Sequence, residues 1–109
     1  MPQTYKVLGQ SAPLATTLTD LYTVPSATSA VVSTLTVCNR AAASKSFRLA
    51  VRPAGASIAD EHYIAYDVVI AANDSTCLTL GLTLATTDVL SVYASAADLS
   101  FQAFGSEIT

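Results

Sequence analysis

Serine–histidine–acid chemistry in this chain would have to run through His62, the only histidine, because the base must stand between a nucleophile and an orienting carboxylate. His62 falls in Asp60-Glu61-His62-Tyr63 at the start of a predicted strand, and no Gly-x-Ser-x-Gly elbow occurs in the sequence. The expected role is a loop-edge histidine that bonds to backbone or to a neighbouring subunit. Paired carboxylates for glycoside hydrolysis need two acids facing one groove. Asp60 and Glu61 are adjacent and would face opposite ways on a strand, while Asp20, Asp67, Asp74, Asp88 and Asp98 mostly fall where turns or strand ends are expected. Neither a calcium-loop pattern of alternating acids nor a glycine-rich phosphate cradle is present. The residues therefore predict no catalytic group, no cofactor and no enzymatic activity.

Cys38 and Cys77 lack the close Cys or His companions of a zinc site. Strand alternation groups Cys38 with Thr34 and Thr36, and Cys77 with Thr79, off the core face; free thiols are expected, with no metal and no disulfide across the core. The basic residues are more suggestive, since Arg40, Lys45, Arg48 and Arg52 are four of the chain's five and lie in one stretch. Arg48 and Arg52 share the outward face of one predicted strand. They form either a basic stripe that docks on an acidic protein surface or cross-strand pairs with Asp67, Glu61 or Asp60 of a hairpin neighbour, and the pairing is the expected outcome. Tyrosine joins a large apolar body to a hydroxyl that tolerates water, so Tyr22, Tyr63, Tyr66 and Tyr93 divide between core and interface. Tyr63 and Tyr93 fall on predicted outer faces. Phe104 lies on the face opposite Phe101, where either another subunit or the N-terminal strand could cover it. The interface candidates are therefore Arg48, Arg52, Tyr63, Tyr93 and Phe104, together with the turn-rich loop at 53–60.

These side chains need strands to hold them, and period-two alternation supplies the strands. In 31–37, Val31, Leu35 and Val37 are predicted on one face with Ser33, and Val32, Thr34 and Thr36 on the other. Phe47, Leu49 and Val51 alternate inward with Arg48 and Arg52 outward. Ile64, Tyr66, Val68 and Ile70 alternate with Tyr63, Ala65, Asp67 and Val69 until the turn at Ala72-Asn73-Asp74-Ser75. Leu78, Leu80 and Leu82 follow, then Leu90 and Val92 against Ser91 and Tyr93, then Leu99, Phe101 and Ala103. Residues 18–24 form a strand that Pro25 ends, and a short strand lies around 4–8. About eight strands with short turns predict an all-β fold in a single domain, residues 1–109: an antiparallel β-sandwich, with the jelly roll as the candidate topology.

Composition narrows the partners. Only 12% of the 109 residues are charged and about a quarter are Ser or Thr. A net charge of -3 argues against nucleic acid, which is bound by neutralising phosphates with Lys and Arg. No apolar run approaches the roughly 20 residues of a membrane helix. The opening MPQTYKVLGQ lacks the basic and apolar regions of a secretory signal, so synthesis in a cytoplasm with reduced cysteines is expected.

Leu21-Tyr22-Thr23-Val24-Pro25, residues 31–39, Leu49-Ala50-Val51-Arg52-Pro53-Ala54-Gly55, Ala71-Ala72-Asn73-Asp74 and Phe104-Gly105-Ser106-Glu107-Ile108 together resemble small virion structural proteins of tailed bacteriophages, cyanophages among them. The resemblance covers nearly the whole chain. It implies a non-enzymatic protein, made in the host bacterial cytoplasm and carried on the virion as a capsid decoration or cement protein. The implied partners are the major capsid protein or other virion subunits and further copies of the chain, a trimer before a dimer. The alternative it implies is a neck, tail or fibre component, including one that recognises host glycans.

Overall fold

The computed structural model describes residues 2–109 and places eight strands in two antiparallel four-stranded sheets. The strands are β1 (Gln3–Ser11), β2 (Thr19–Thr23), β3 (Ser29–Asn39), β4 (Lys45–Arg52), β5 (Tyr63–Ile70), β6 (Ser75–Leu84), β7 (Val89–Ala94) and β8 (Leu99–Ile108). One sheet has the order β1-β8-β3-β6 and the other β2-β7-β4-β5. Only the β4–β5 connection joins neighbours within a sheet, and every other link crosses between sheets. That winding is the eight-stranded jelly roll.

The inner faces of the two sheets meet in one core. Phe47 of β4 packs edge-on against Phe101 of β8, with ring centroids 6.1 Å apart, the geometry that the ring quadrupoles favour. Leu35, Val37, Leu49, Leu90, Val92 and Leu99 surround the pair and exclude solvent fully. β-Branched and leucine side chains at alternate positions give these strands both their extended preference and their buried face.

Strict alternation fails at defined places. Val32 pairs with Gly105 and Thr34 with Phe104, leaving Ser33 as an extra residue in a bulge. The bulge changes the face of the first half of β3: Ala30 and Val32 are buried, whereas Val31, expected inside, lies on the outer side. Gly105 is required here, because a Cβ at that position would stand 1.9 Å from the Val31 carbonyl oxygen. Two interactions then fasten the ends of the sandwich. Asn39, buried, donates from Nδ2 to the carbonyls of Ala43, Ile70 and Ala71 and accepts the Ala41 amide at Oδ1. It thereby ties the small-residue loop after β3 to the β5–β6 turn. Along the β1/β2 edge, the Tyr22 hydroxyl donates to Glu107 Oε2 at 2.6 Å and Lys6 Nζ donates to Oε1 at 3.3 Å, linking β2 to β8 in the opposite sheet.

Both interactions have measurable consequences. Asn39→Ala leaves several buried backbone groups without partners, so urea unfolding is expected to show a loss of about 3 kcal/mol. The Tyr22 hydrogen bond, ahead of the Lys6 contacts, holds the Glu107 carboxyl below its ordinary value of 4.5. A depressed carboxyl pKa adds stability above the unfolded value that disappears as pH falls through the folded one. Glu107→Gln should therefore flatten the stability profile below pH 4.5, read as unfolding midpoints across acid pH. At the alkaline end, burial and then the Glu107 hydrogen bond raise the Tyr22 phenol above its ordinary value of 10.0, so Tyr22→Phe should lessen the fall in stability beyond that pH.

Candidate functional site

The β4 strand turns Phe47, Leu49 and Val51 inward and Arg48, Ala50 and Arg52 outward onto the exterior of the β2-β7-β4-β5 sheet. Arg48 pairs across the ladder with Tyr93 of β7, and its guanidinium carbon lies 4.3 Å from the Tyr93 ring centroid and 4.1 Å from that of Tyr66. The cation is thus held between two phenol rings, an arrangement in which the ring quadrupoles attract it from both sides. Asp67 closes the end, accepting from Arg48 Nε at 2.7 Å and Nη2 at 3.4 Å. That carboxylate, through its hydrogen bond first, holds the guanidinium more firmly protonated than an arginine ordinarily is.

Two irregularities of β5 assemble the cluster. Phe47 pairs with Val68 and Leu49 with Ala65, then Ala50 with Tyr63, so β5 carries an extra residue at each step. Asp67, with φ at 52°, occupies one of them; an acidic residue tolerates this left-handed conformation better than the β-branched neighbours do. Tyr63 and Tyr66, which strict alternation places on opposite faces, consequently meet edge to face at 4.9 Å beside Arg48.

Arg52 anchors the neighbouring half of the same face. Its Nη2 donates to Asp20 Oδ1 at 2.6 Å, Nε to Ser91 Oγ at 3.0 Å, and Nη1 to the carbonyls of Gly55 and Ala56. Asp20 lies on β2, beyond β7, so this acid is not the hairpin neighbour that the sequence suggested. The contacts to Gly55 and Ala56 fasten the 53–60 loop onto the sheet, and Asp88 Oδ1 accepts the Ala54 amide on its other side.

Arg48, Arg52, Tyr63 and Tyr93 are therefore brought together on one face, with Tyr66 added. Both arginines are paired with acids, so the stripe is rich in arginine without being a field of free positive charge. Phe104 stands apart, half-buried on the exterior of the other sheet, where it pairs with Val7 and Thr34. There it lines a shallow groove of about 460 Å³ with Tyr5, Lys6, Val31 and Ser33.

The remaining chemical groups take structural roles. His62 accepts the Ala59 amide at Nδ1 over 3.1 Å. Asp88 accepts the Ala85 amide and Asp74 the Ser75 amide, as turn residues do. Cys38 and Cys77 are free and exposed on the outer side of β3 and β6, at diagonal positions of the ladder. Among the described residues, no three His, Cys, Asp or Glu side chains gather as a metal site, and no helix is long and apolar enough to cross a membrane. Comparison with protein-family models and with curated proteins yields no match to this chain.

Arg48→Lys keeps the charge but loses the planar group that both rings contact. The near-UV circular dichroism of the tyrosines should weaken markedly while the urea midpoint moves little, because an exposed ion pair adds little stability.

Proposed function

We propose that this chain is a non-enzymatic structural protein of a tailed-bacteriophage virion, acting as a capsid decoration or cement protein through the Arg48–Tyr66–Tyr93 face. The observation that carries the reading is that face itself: tyrosines and arginines set side by side on rigid strands are the residue types that dominate protein–protein binding energy. Intramolecular pairing of Arg48 with Asp67 and of Arg52 with Asp20 lets a partner cover the face without meeting an uncompensated charge. The fold agrees, because jelly rolls serve in viral capsids among other settings, and so does the resemblance of the sequence to small phage structural proteins.

In this role, each bound copy stabilises the assembled shell by mass action. Copies joined to one another gain further from simultaneous attachment, since the second contact forms at high effective concentration. Bridging adjacent capsid subunits in this way resists their separation without any covalent step.

Quantitative mass spectrometry of purified virions tests the assignment. Abundance comparable to that of the major capsid protein is expected. A scarce protein would move the assignment to the neck, tail or fibre, where glycan recognition becomes the competing function, and absence would end the virion reading. In reconstitution with capsids, simultaneous alanine substitution of Arg48, Arg52, Tyr63 and Tyr93 should lower occupancy at least tenfold; unchanged occupancy would show that the capsid meets another face.

A further inference from the structure

The two lateral edges of the sandwich differ. Where β1 and β2 meet, Leu8, Leu21 and Tyr22 are buried and the Tyr22–Glu107–Lys6 chain closes the gap between sheets. Where β5 and β6 meet, the core stays open. Ala65 and Val68 of β5 and Leu78, Leu80 and Leu82 of β6 all remain partly exposed, although Phe47, Leu49, Leu35 and Val37 on the adjoining strands exclude solvent completely. Val69 at 68% exposure and Ile64 at 43% extend this apolar surface along β5.

Backbone and charge single out the same flank. β5 is hydrogen-bonded only to β4 and β6 only to β3, so each leaves a row of amides and carbonyls open for pairing. Edge strands that must stay solvent-exposed carry lysines, prolines, inward charges or bulges; β5 is bulged between Tyr63 and Val68 and β6 between Thr79 and Leu82, but neither has lysines, prolines or inward charges. β6 holds no Asp, Glu, Lys or Arg, and the one charge on β5, Asp67, is held by Arg48.

We infer that the β5–β6 flank is the surface against which a second copy of this chain packs. Copies that each carry a net charge of -3 repel one another over most approaches, whereas the two strands of this flank carry no uncompensated charge, the acids Asp60, Glu61 and Asp74 lying beyond their ends. An open strand edge is also self-complementary, since antiparallel pairing about a two-fold axis presents each strand with its own sequence. The size suffices. Strands of this length run for about 30 Å on a molecule whose shortest extent is 19 Å. A flank of that order offers about 500–600 Å² per copy, and the resulting total of roughly 1,000–1,200 Å² reaches the range of specific interfaces. The inference deepens the proposed assembly role by naming the surface between copies, and it stands independently of capsid binding.

The test is sedimentation equilibrium of the purified full chain with no capsid present, so its result is separate from virion copy number. The wild type should self-associate at concentrations up to about 100 μM, while Val69→Lys and Ile64→Lys should each weaken association at least tenfold. Both sites are exposed, so the substitutions spare the core, and far-UV circular dichroism verifies the fold. Leu14→Lys, which replaces a residue of 74% exposure away from the flank, should associate as the wild type does. Hydrogen exchange of the unmodified protein supplies a second readout: β5 amides should gain protection as concentration rises. A monomeric wild type, or association that survives both flank substitutions with β5 exchange unchanged, would overturn the inference.

Discussion

A two-layer sandwich has one dry interior, and every strand must keep its apolar side chains on that side over its whole length. This constraint governs the rest of the molecule. Pleating alone alternates faces at every residue, whereas the apolar residues of β3 and β5 do not keep strict alternation over the whole strand. The bulge at Ser33 returns Ala30 and Val32 to the core, and the irregularities of β5 set Ala65 against it. Each interruption leaves an exposed residue behind, Ser33 in β3 and Ile64 and Asp67 in β5.

The Arg48 cluster is one product of that adjustment. Tyr63 and Tyr66 share a face only because β5 departs from period two between them, and Asp67 reaches the guanidinium from the second departure, between Ala65 and Val68. Packing inside and the clustering of side chains outside are in this sense the same event. The arginine side chain lies across a sheet whose inner surface is locked by Phe47, Leu49 and Val92, so its geometry is set before any partner arrives. Preorganised aromatic and guanidinium groups lose little freedom on binding, which suits such a face to the proposed assembly role.

Polar side chains mark the limits of the core and close it unequally. Asn39 satisfies four backbone groups at one end, Tyr22 and Glu107 bind the sheets along one edge, and the β5–β6 edge has no comparable closure. A single chain of this size has limited surface to bury, and an open flank beside a paired arginine face divides the exterior into two surfaces of different chemistry. One is apolar and unpaired along its backbone; the other is aromatic, hydrogen-bonded and charge-compensated.

Eight strands, their order along the chain and most of their inward residues were legible in the sequence, because a half-buried strand writes its burial directly as alternation. So was the outward placement of Arg48, Arg52 and Tyr93, and Asp67 stood among the acids expected to pair with Arg48. What alternation cannot encode is where it is interrupted: nothing in the spacing of Val31, Val32 and Ser33 marks which one is the extra residue, since that is decided by how closely the β8 backbone approaches at Gly105. The same reason hid Tyr66 from the cluster, although an aspartate in the middle of a β-branched strand is the kind of residue that marks a bulge. Pairing of Arg52 with Asp20, and the contrast between a closed and an open edge, depend on which strands become neighbours. Local sequence sets the conformation of each strand, but only the burial of two whole sheets against each other selects the order in which they lie.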